Sequence, residues 1–167
     1  MIAYLQLPSN QIVIDQLEFL SKLQGVKAWE VDSPQGLYLL LEPWMRKRLV
    51  HHLYQALRGY FGTRVRFGAA EQKTTARAAA LYRPVPHCTV VTPETADQFL
   101  AHLPIYLLPG LGQRTTRFLE RQGVRTFSSF RGLSTTTLKE WFGVSGLILL
   151  QFAKGLDPRS VEPSRAT

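Results

Sequence analysis

The sequence predicts an α+β fold: a ferredoxin-like βαββαβ unit followed by an all-helical region that carries a helix-hairpin-helix motif. Three observations predict it. Over residues 1–69, short apolar runs alternate with helical spacings in the order β-α-β-β-α-β. Beyond a proline-rich stretch at 83–93, every apolar pattern is helical. Within that second region, Leu108-Pro109-Gly110-Leu111-Gly112 stands directly before an amphipathic segment.

The elements follow in order. Residues 1–7 form a short apolar strand, broken by Pro8-Ser9-Asn10. Ile12, Leu17, Leu20 and Leu23 recur at helical spacing, so a helix is expected over 11–24, ended by Gly25. Val26 to Val31 is a strand, Asp32-Ser33-Pro34-Gln35-Gly36 a turn, and Leu37 to Leu41 a buried strand. Pro43 opens a helix running to about Tyr60, with Leu49, Val50, Leu53 and Leu57 facing inward. Arg64 to Phe67 is a further strand, and alanine-rich Glu71 to Leu81 is helical. The order over residues 1–69 implies an antiparallel sheet with helices on one face. Residues 83–93, with three prolines, read as a linker carrying one short strand. Helices are expected at 94–102, 113–122, 126–131, 134–141 and 144–154, and the tail from Asp157, with Pro158, Pro163 and Ser164, as frayed. The division is therefore 1–92 and 93–167.

Charge narrows the function. The net charge is +8, from 20 Lys and Arg against 12 acids, which favours a polyanionic partner. Pro43 to Arg83 holds nine basic residues and one acid, Glu71; a second cluster comprises Arg114, Arg117, Arg121, Arg125 and Arg131 with Glu120. Cys88 is the one cysteine, so no disulfide forms within the chain and a cytoplasmic setting is expected. No apolar run approaches the roughly 18 residues that cross a membrane, and the first residues do not read as a signal peptide.

The hairpin supplies the chemistry. Gly110 and Gly112 permit a tight turn and close approach of another backbone. Because the turn leads straight into a helix, its free N–H groups point outward as phosphate ligands. Arg114, Arg117 and Arg121 fall at i, i+3 and i+7 on one face, placed to flank a DNA backbone. Such contacts are independent of sequence and sensitive to salt. A second glycine pair, Gly143 and Gly146, also precedes a helix; it reads as a degenerate second hairpin or as a plain turn.

Residues 99–161 resemble the thumb of Y-family (translesion) DNA polymerases. The resemblance is carried by Phe99-Leu100, Leu103-Pro104-Ile105, the 108–112 hairpin, Gly123-Val124-Arg125-Thr126, Phe142-Gly143, Gly146 and Ala153-Lys154-Gly155-Leu156-Asp157. Gly68-Ala69-Ala70-Glu71-Gln72-Lys73-Thr74-Thr75-Ala76-Arg77-Ala78-Ala79 is similar to a segment of the family's palm. The resemblance sets Lys73 on a lysine that helps hold the incoming triphosphate. Here Lys73 reads instead as a DNA-phosphate contact or a surface residue, with Arg77 as a further DNA contact. The family's metal-binding carboxylates lie on the first palm strand and in an Asp-Glu pair before Ala-Tyr-Leu-Asp. The matching stretches here are Ile2-Ala3-Tyr4-Leu5-Gln6-Leu7-Pro8, without an acid, and Gln35-Gly36; Glu30 and Asp32 lie near but out of register. One short helix stands where the fingers would be. The pattern is similar to a palm and thumb alone, as in the catalytically inactive ImuB-type branch.

The resulting expectation is a non-catalytic DNA-binding protein, not an enzyme, accessory to DNA repair or translesion synthesis. It would grip DNA without regard to sequence through Pro109, Gly110, Leu111, Gly112, Arg114, Arg117, Gly143, Gly146, Lys73 and Arg77. A replicative or translesion polymerase subunit is the expected protein partner, the location cytoplasmic and nucleoid-associated, and no cofactor is expected beyond a monovalent cation at the hairpin. Two alternatives stand: a minimal metal-dependent polymerase using Asp32 or Glu30, and a scaffold docking a polymerase or recombinase subunit. His51, His52, His87, His102 and Cys88 lack the spacing of a metal site. Gln16-Leu17-Glu18-Phe19-Leu20 faintly resembles a clamp-binding peptide but sits in an amphipathic helix. Trp29, Trp44 and Trp141 are residues that could stack on bases, but each is expected in the core.

Overall fold

The computed structural model describes residues 1–163. The strands are β1 (Ile2–Gln6), β2 (Val26–Ser33), β3 (Gly36–Leu41), β4 (Arg66–Ala70) and β5 (His87–Val90). The helices are α1 (Ile14–Ser21), α2 (Lys47–Phe61), α3 (Lys73–Leu81), α4 (Pro93–Ala101), α5 (Gln113–Arg121), α6 (Phe127–Arg131), α7 (Thr135–Phe142) and α8 (Ser145–Ala153). The predicted α+β class and element order hold. The sheet runs β2-β3-β1-β4-β5. Its first four strands are antiparallel, and β5 joins β4 in parallel, so the proline-rich linker contributes an edge strand.

Alternation along β1 explains the layering. Ala3 and Leu5 point to one face with Leu37, Leu39, Phe67 and Ala69, where Leu20 of α1 and Val50, Leu53 and Leu57 of α2 cover them. Ile2 and Tyr4 point to the other face with Tyr38, beneath Ala76, Ala79 and Ala80 of α3. The two helices of the 1–69 unit, α1 and α2, thus share one face as expected; α3, which follows that unit, covers the second face, which is why β1 is apolar at every position from Ile2 to Leu5.

The contact between α3 and the sheet is unusually close. A Cβ on Gly68 would overlap the backbone of Ala79 and Ala80, so only glycine fits where the helix crosses β4. From Lys73 to Ala80 only the Arg77 side chain escapes burial. On its far side α3 presents Ala78 to a second core, built from Leu100, Ile105, Leu119, Phe127, Phe130, Leu138 and Ala153 of the helical layer. The Arg131 guanidinium ties that layer together: Nε donates to Ala153 O at 2.7 Å and Nη1 to Asp97 at 2.9 Å.

Several boundaries differ from the sequence expectation. Helix α2 begins at Lys47, not Pro43. Residues 42–45 form a turn closed by Met45 N donating to Glu42 O, which buries Met45 beneath Gly25. Strand β4 continues to Ala70, because Gly68, Ala69 and Ala70 pair with Tyr4, Ala3 and Ile2. The tail is not frayed over residues 157–163. Asp157 and Val161 are buried, and Glu162 N donates to Glu30 at 2.6 Å. Ser164 lies outside the described residues. Among the described residues no helix is long and apolar enough to cross a membrane.

If Gly68 is the point where α3 seats on the sheet, Gly68→Ala overpacks it and should cost about 1–3 kcal/mol. Urea denaturation reads this as a lowered midpoint at unchanged slope; an unaltered midpoint would show that the crossing has room to spare.

Candidate nucleic-acid interface

The hairpin lies at the end of a buried run. Leu103, Ile105, Leu107 and Leu108 anchor the chain in the helical core. Ile105 N donates to Arg125 O and Phe127 N to Leu103 O, fixing the approach. The chain then reverses at Pro109-Gly110, where Gly110 has a φ of 85°, a conformation that favours glycine. Leu149 of α8 lies under this turn. Gly112 is the N-cap of α5, and no side chain caps that end. The first-turn amides of α5 are therefore left for an outside acceptor at the positive end of the helix dipole. A Cβ on Gly112 would meet nothing within 4 Å, so this end is open.

Cations near the hairpin fall into two groups. Arg114, Arg117, Arg121 and Arg125 are exposed and line one open groove with Glu120. Arg121 reaches only the Arg117 carbonyl, at 3.3 Å, and among the described residues none of the four has an ion pair. Arg131, counted with them in the sequence, is committed to Ala153 and Asp97 instead. Phe118 and Leu119 hold the back of α5: Leu119 is fully buried, and Phe118 meets Trp141 edge to face at 5.0 Å. The structure thus brings Pro109, Gly110, Leu111, Gly112, Arg114 and Arg117 together on one surface.

It separates the remaining candidates. Gly143 is the exposed C-cap of α7 with a φ of 62°, beside the exposed Val144. Gly146 is buried, and a Cβ there would come within 2.5 Å of Leu138 O, so this glycine serves the crossing of α7 and α8. Lys73 is 4% exposed and engaged: its ammonium donates to Glu30 Oε1 at 2.8 Å and Oε2 at 2.6 Å and sits over the Tyr38 ring. Arg77 faces Asp32 at 4.0 Å and the Tyr4 ring. Neither of the two is a free phosphate ligand.

Lys73, Arg77 and their partners define the second face of the sheet. The Tyr4 hydroxyl donates to Asp32 at 3.2 Å. A Cβ on Gly36 would overlap that hydroxyl, so Tyr4 on β1 and Gly36 on β3 occupy complementary space. Burial, reinforced by the Asp32 charge, pushes the Tyr4 and Tyr38 phenols above their ordinary range, so both remain neutral. Burial also raises the Cys88 thiol to about 12, which removes it as a nucleophile at neutral pH. The acids of this face, Glu30 and Asp32, are already bound to Lys73, Arg77 and Tyr4. Among the described residues no three His, Cys, Asp or Glu side chains gather as a metal site. The donor set here does not fit a pair of divalent ions.

Sequence reasoning missed the clamp closing this face. Asp157 accepts from Thr74 N at 3.0 Å, Thr74 Oγ1 at 2.8 Å and Arg159 Nη2 at 2.7 Å. Its own N–H donates to Gln72. Thr74 and Gln72 lie more than 80 residues from Asp157, so no local pattern announces these contacts. Burial disfavours the Asp157 carboxylate, but the bonds from Arg159 and Thr74 outweigh it and lower the pKa.

Comparison with known proteins finds DNA polymerases of similar sequence and structures of similar fold. No family model matches. DNA polymerase IV of Ralstonia nicotianae is 33% identical over 118 residues, 71% of this chain and 33% of that protein. DNA polymerase IV of Pseudomonas paraeruginosa is 39% identical over 95 residues, 57% of this chain and 27% of that protein. The chain spans about a third of the length of these curated relatives. Among solved structures, a DinB family error-prone DNA polymerase from Sulfolobus solfataricus superimposes with a TM-score of 0.73 at 22% identity, over 88% of this chain and 46% of that one. An insertion ternary complex of Dbh DNA polymerase gives 0.70 at 23% identity, over 87% and 44%. The match covers the palm and thumb. The expectation that the chain is not an enzyme is corrected by these relatives, which are named as polymerases.

Because its pKa is lowered on folding, Asp157 contributes stability that is fully present above the ordinary carboxylate value near 4. That stability is lost as pH falls through the folded value. Asp157→Asn should cost about 1.5–3 kcal/mol at neutral pH, the range for hydrogen bonds to a charged group. The same change should flatten the acid limb of the stability profile; parallel wild-type and variant profiles down to acid pH would contradict the clamp.

Proposed function

We infer, from this chain's relation to the palm and thumb of the Y-family DNA polymerases, that it grips the backbone of duplex DNA during repair or translesion synthesis through the α5 hairpin. One observation carries the reading: the uncapped N-terminus of α5 opens beneath Gly110 and Gly112 beside Arg114 and Arg117, which are exposed and, among the described residues, have no ion pair. Phosphate oxygens are the acceptors that uncapped backbone amides and a positive helix end select. Arg114 and Arg117 stand one turn apart on α5, where they would hold phosphates flanking that contact. Nothing in this set reads a base edge, so the grip is independent of sequence.

Pro109 and Leu111 shape the turn, and Gly110 and Gly112 let the backbone approach. The structural roles of Gly146 and Lys73 leave them out of this contact surface. A polymerase subunit as protein partner remains part of the proposal, since the relatives are named for DNA synthesis.

Titrating duplex DNA across salt concentrations tests the grip. Each of Arg114→Ala and Arg117→Ala should make the plot of log affinity against log salt shallower by about 0.9, the value for one lost phosphate contact. Gly112→Leu should weaken binding at every salt concentration while leaving the thermal midpoint nearly unchanged, because the site is open. Wild-type affinity and slope in all three variants would end the hairpin reading.

A further inference from the structure

A second basic surface lies on the opposite side of the sheet. Helices α1 and α2 cover the face that α3 and the helical layer leave, so the outward side of α2 is remote from the sheet face bearing Lys73 and Arg77. Between Pro43 and Ala70 the chain carries six Lys and Arg residues, two adjacent histidines and no acid. Arg46, Lys47 and Arg48 are all exposed, and among the described residues none has an ion pair. By contrast, Lys73, Arg77, Arg131 and Arg159 are each held by an acid. The α2 cations are thus uncommitted. The nearest acids of the neighbouring helix, Asp15 and Glu18, lie on α1, whose Phe19 packs on Tyr60 at the far end of α2.

This charge adjoins an apolar slot. Lys47, Arg48, His51, His52 and Gln55 line an open groove on α2. His52 also borders a cleft of about 260 Å³ floored by Leu23, Met45, Leu49 and Leu53. Trp44 forms its wall and is 50% exposed, which corrects the expectation that this tryptophan is core. Leu49, expected on the inner face of α2, is 39% exposed at the same place. Trp29 and Trp141 are by contrast packed, the first against the sheet core and the second on Phe118.

Cations beside an exposed aromatic and a flat apolar slot are the elements that bind unpaired bases together with their phosphates. Duplex DNA presents phosphates but keeps its base faces stacked, so it would leave the slot empty. An acidic peptide would satisfy the charge and likewise leave Trp44 uncovered. We propose that the α2 face is a single-stranded DNA site, with Lys47 and Arg48 on the phosphates and a base stacked on Trp44 over the Leu49–Leu53 floor. This site is independent of the hairpin, and the chain would hold duplex and single strand on different surfaces.

Oligothymidylate binding to the full chain, read by anisotropy and by tryptophan fluorescence, tests it. The doubly substituted Lys47→Glu, Arg48→Glu chain should lose at least about tenfold in affinity at low salt, with a salt slope shallower by about 1.4, the single-strand value for two phosphates. Trp44→Ala should cost about fivefold to a hundredfold. Fluorescence quenching should occur in wild type, vanish in Trp44→Phe, and not be produced by polyglutamate. Duplex affinity should survive all of these changes, whereas Arg117→Ala should lower duplex affinity and spare oligothymidylate. Unchanged oligothymidylate affinity in the α2 variants would overturn the proposal, as would quenching by polyglutamate equal to that by the oligonucleotide. Either result would leave the hairpin reading intact.

Discussion

The structure depends on one helix being thin. Helix α3 lies between the sheet and the helical layer and is buried toward both, which requires small side chains along almost its whole length. Ala76, Ala79 and Ala80 let it sit on β1 and β4, Gly68 removes the last obstruction, and Ala78 meets the second core. Close packing of this kind gains dispersion contacts and leaves little room to move. It therefore fixes where the helical layer stands relative to the sheet, and with it the direction in which α5 presents the hairpin.

The N-terminus of α3 extends the same logic to charge. Lys73 is buried and cannot remain unpaired without a large desolvation cost. Glu30 supplies the counter-charge from β2, and the Glu162 amide shares that carboxylate from the tail. Asp157 binds Thr74 one residue along. The tail thus returns to the sheet and closes the face that Tyr4 and Tyr38 occupy. Buried pairs of this kind contribute less to net stability than to a single arrangement of parts. Among the described residues, Arg114 and Arg117 on α5 and Lys47 and Arg48 on α2 are exposed and have no ion pair.

Much of this was legible in the sequence. The βαββαβ order followed from apolar period and turn residues, and the hairpin from Pro109, Gly110 and Gly112. What could not be read was set by distance along the chain. The second-face position of α3 depends on Gly68 meeting Ala79 and Ala80, a contact that no periodicity expresses. Lys73 looked like a surface or phosphate-binding lysine because Glu30 is 43 residues away. Proline-rich composition suggested a frayed tail, but Asp157 finds its partners across the fold. Pro43 looked like a helix start, and the burial of Met45 delayed the helix to Lys47. The resemblance to polymerases was carried by short blocks, and the relatives corrected the inference that lost carboxylates make the chain a non-enzyme.

In the proposed grip, backbone amides at the start of α5 hold a DNA phosphate. Amide chemical-shift mapping on isotopically labelled protein, titrated with short duplex DNA at low salt, addresses it directly. The largest shifts should fall on Gly110, Gly112, Gln113, Arg114 and Thr115, and added salt should reverse them. Shifts confined to other surfaces, with these five amides unmoved at saturation, would contradict the grip.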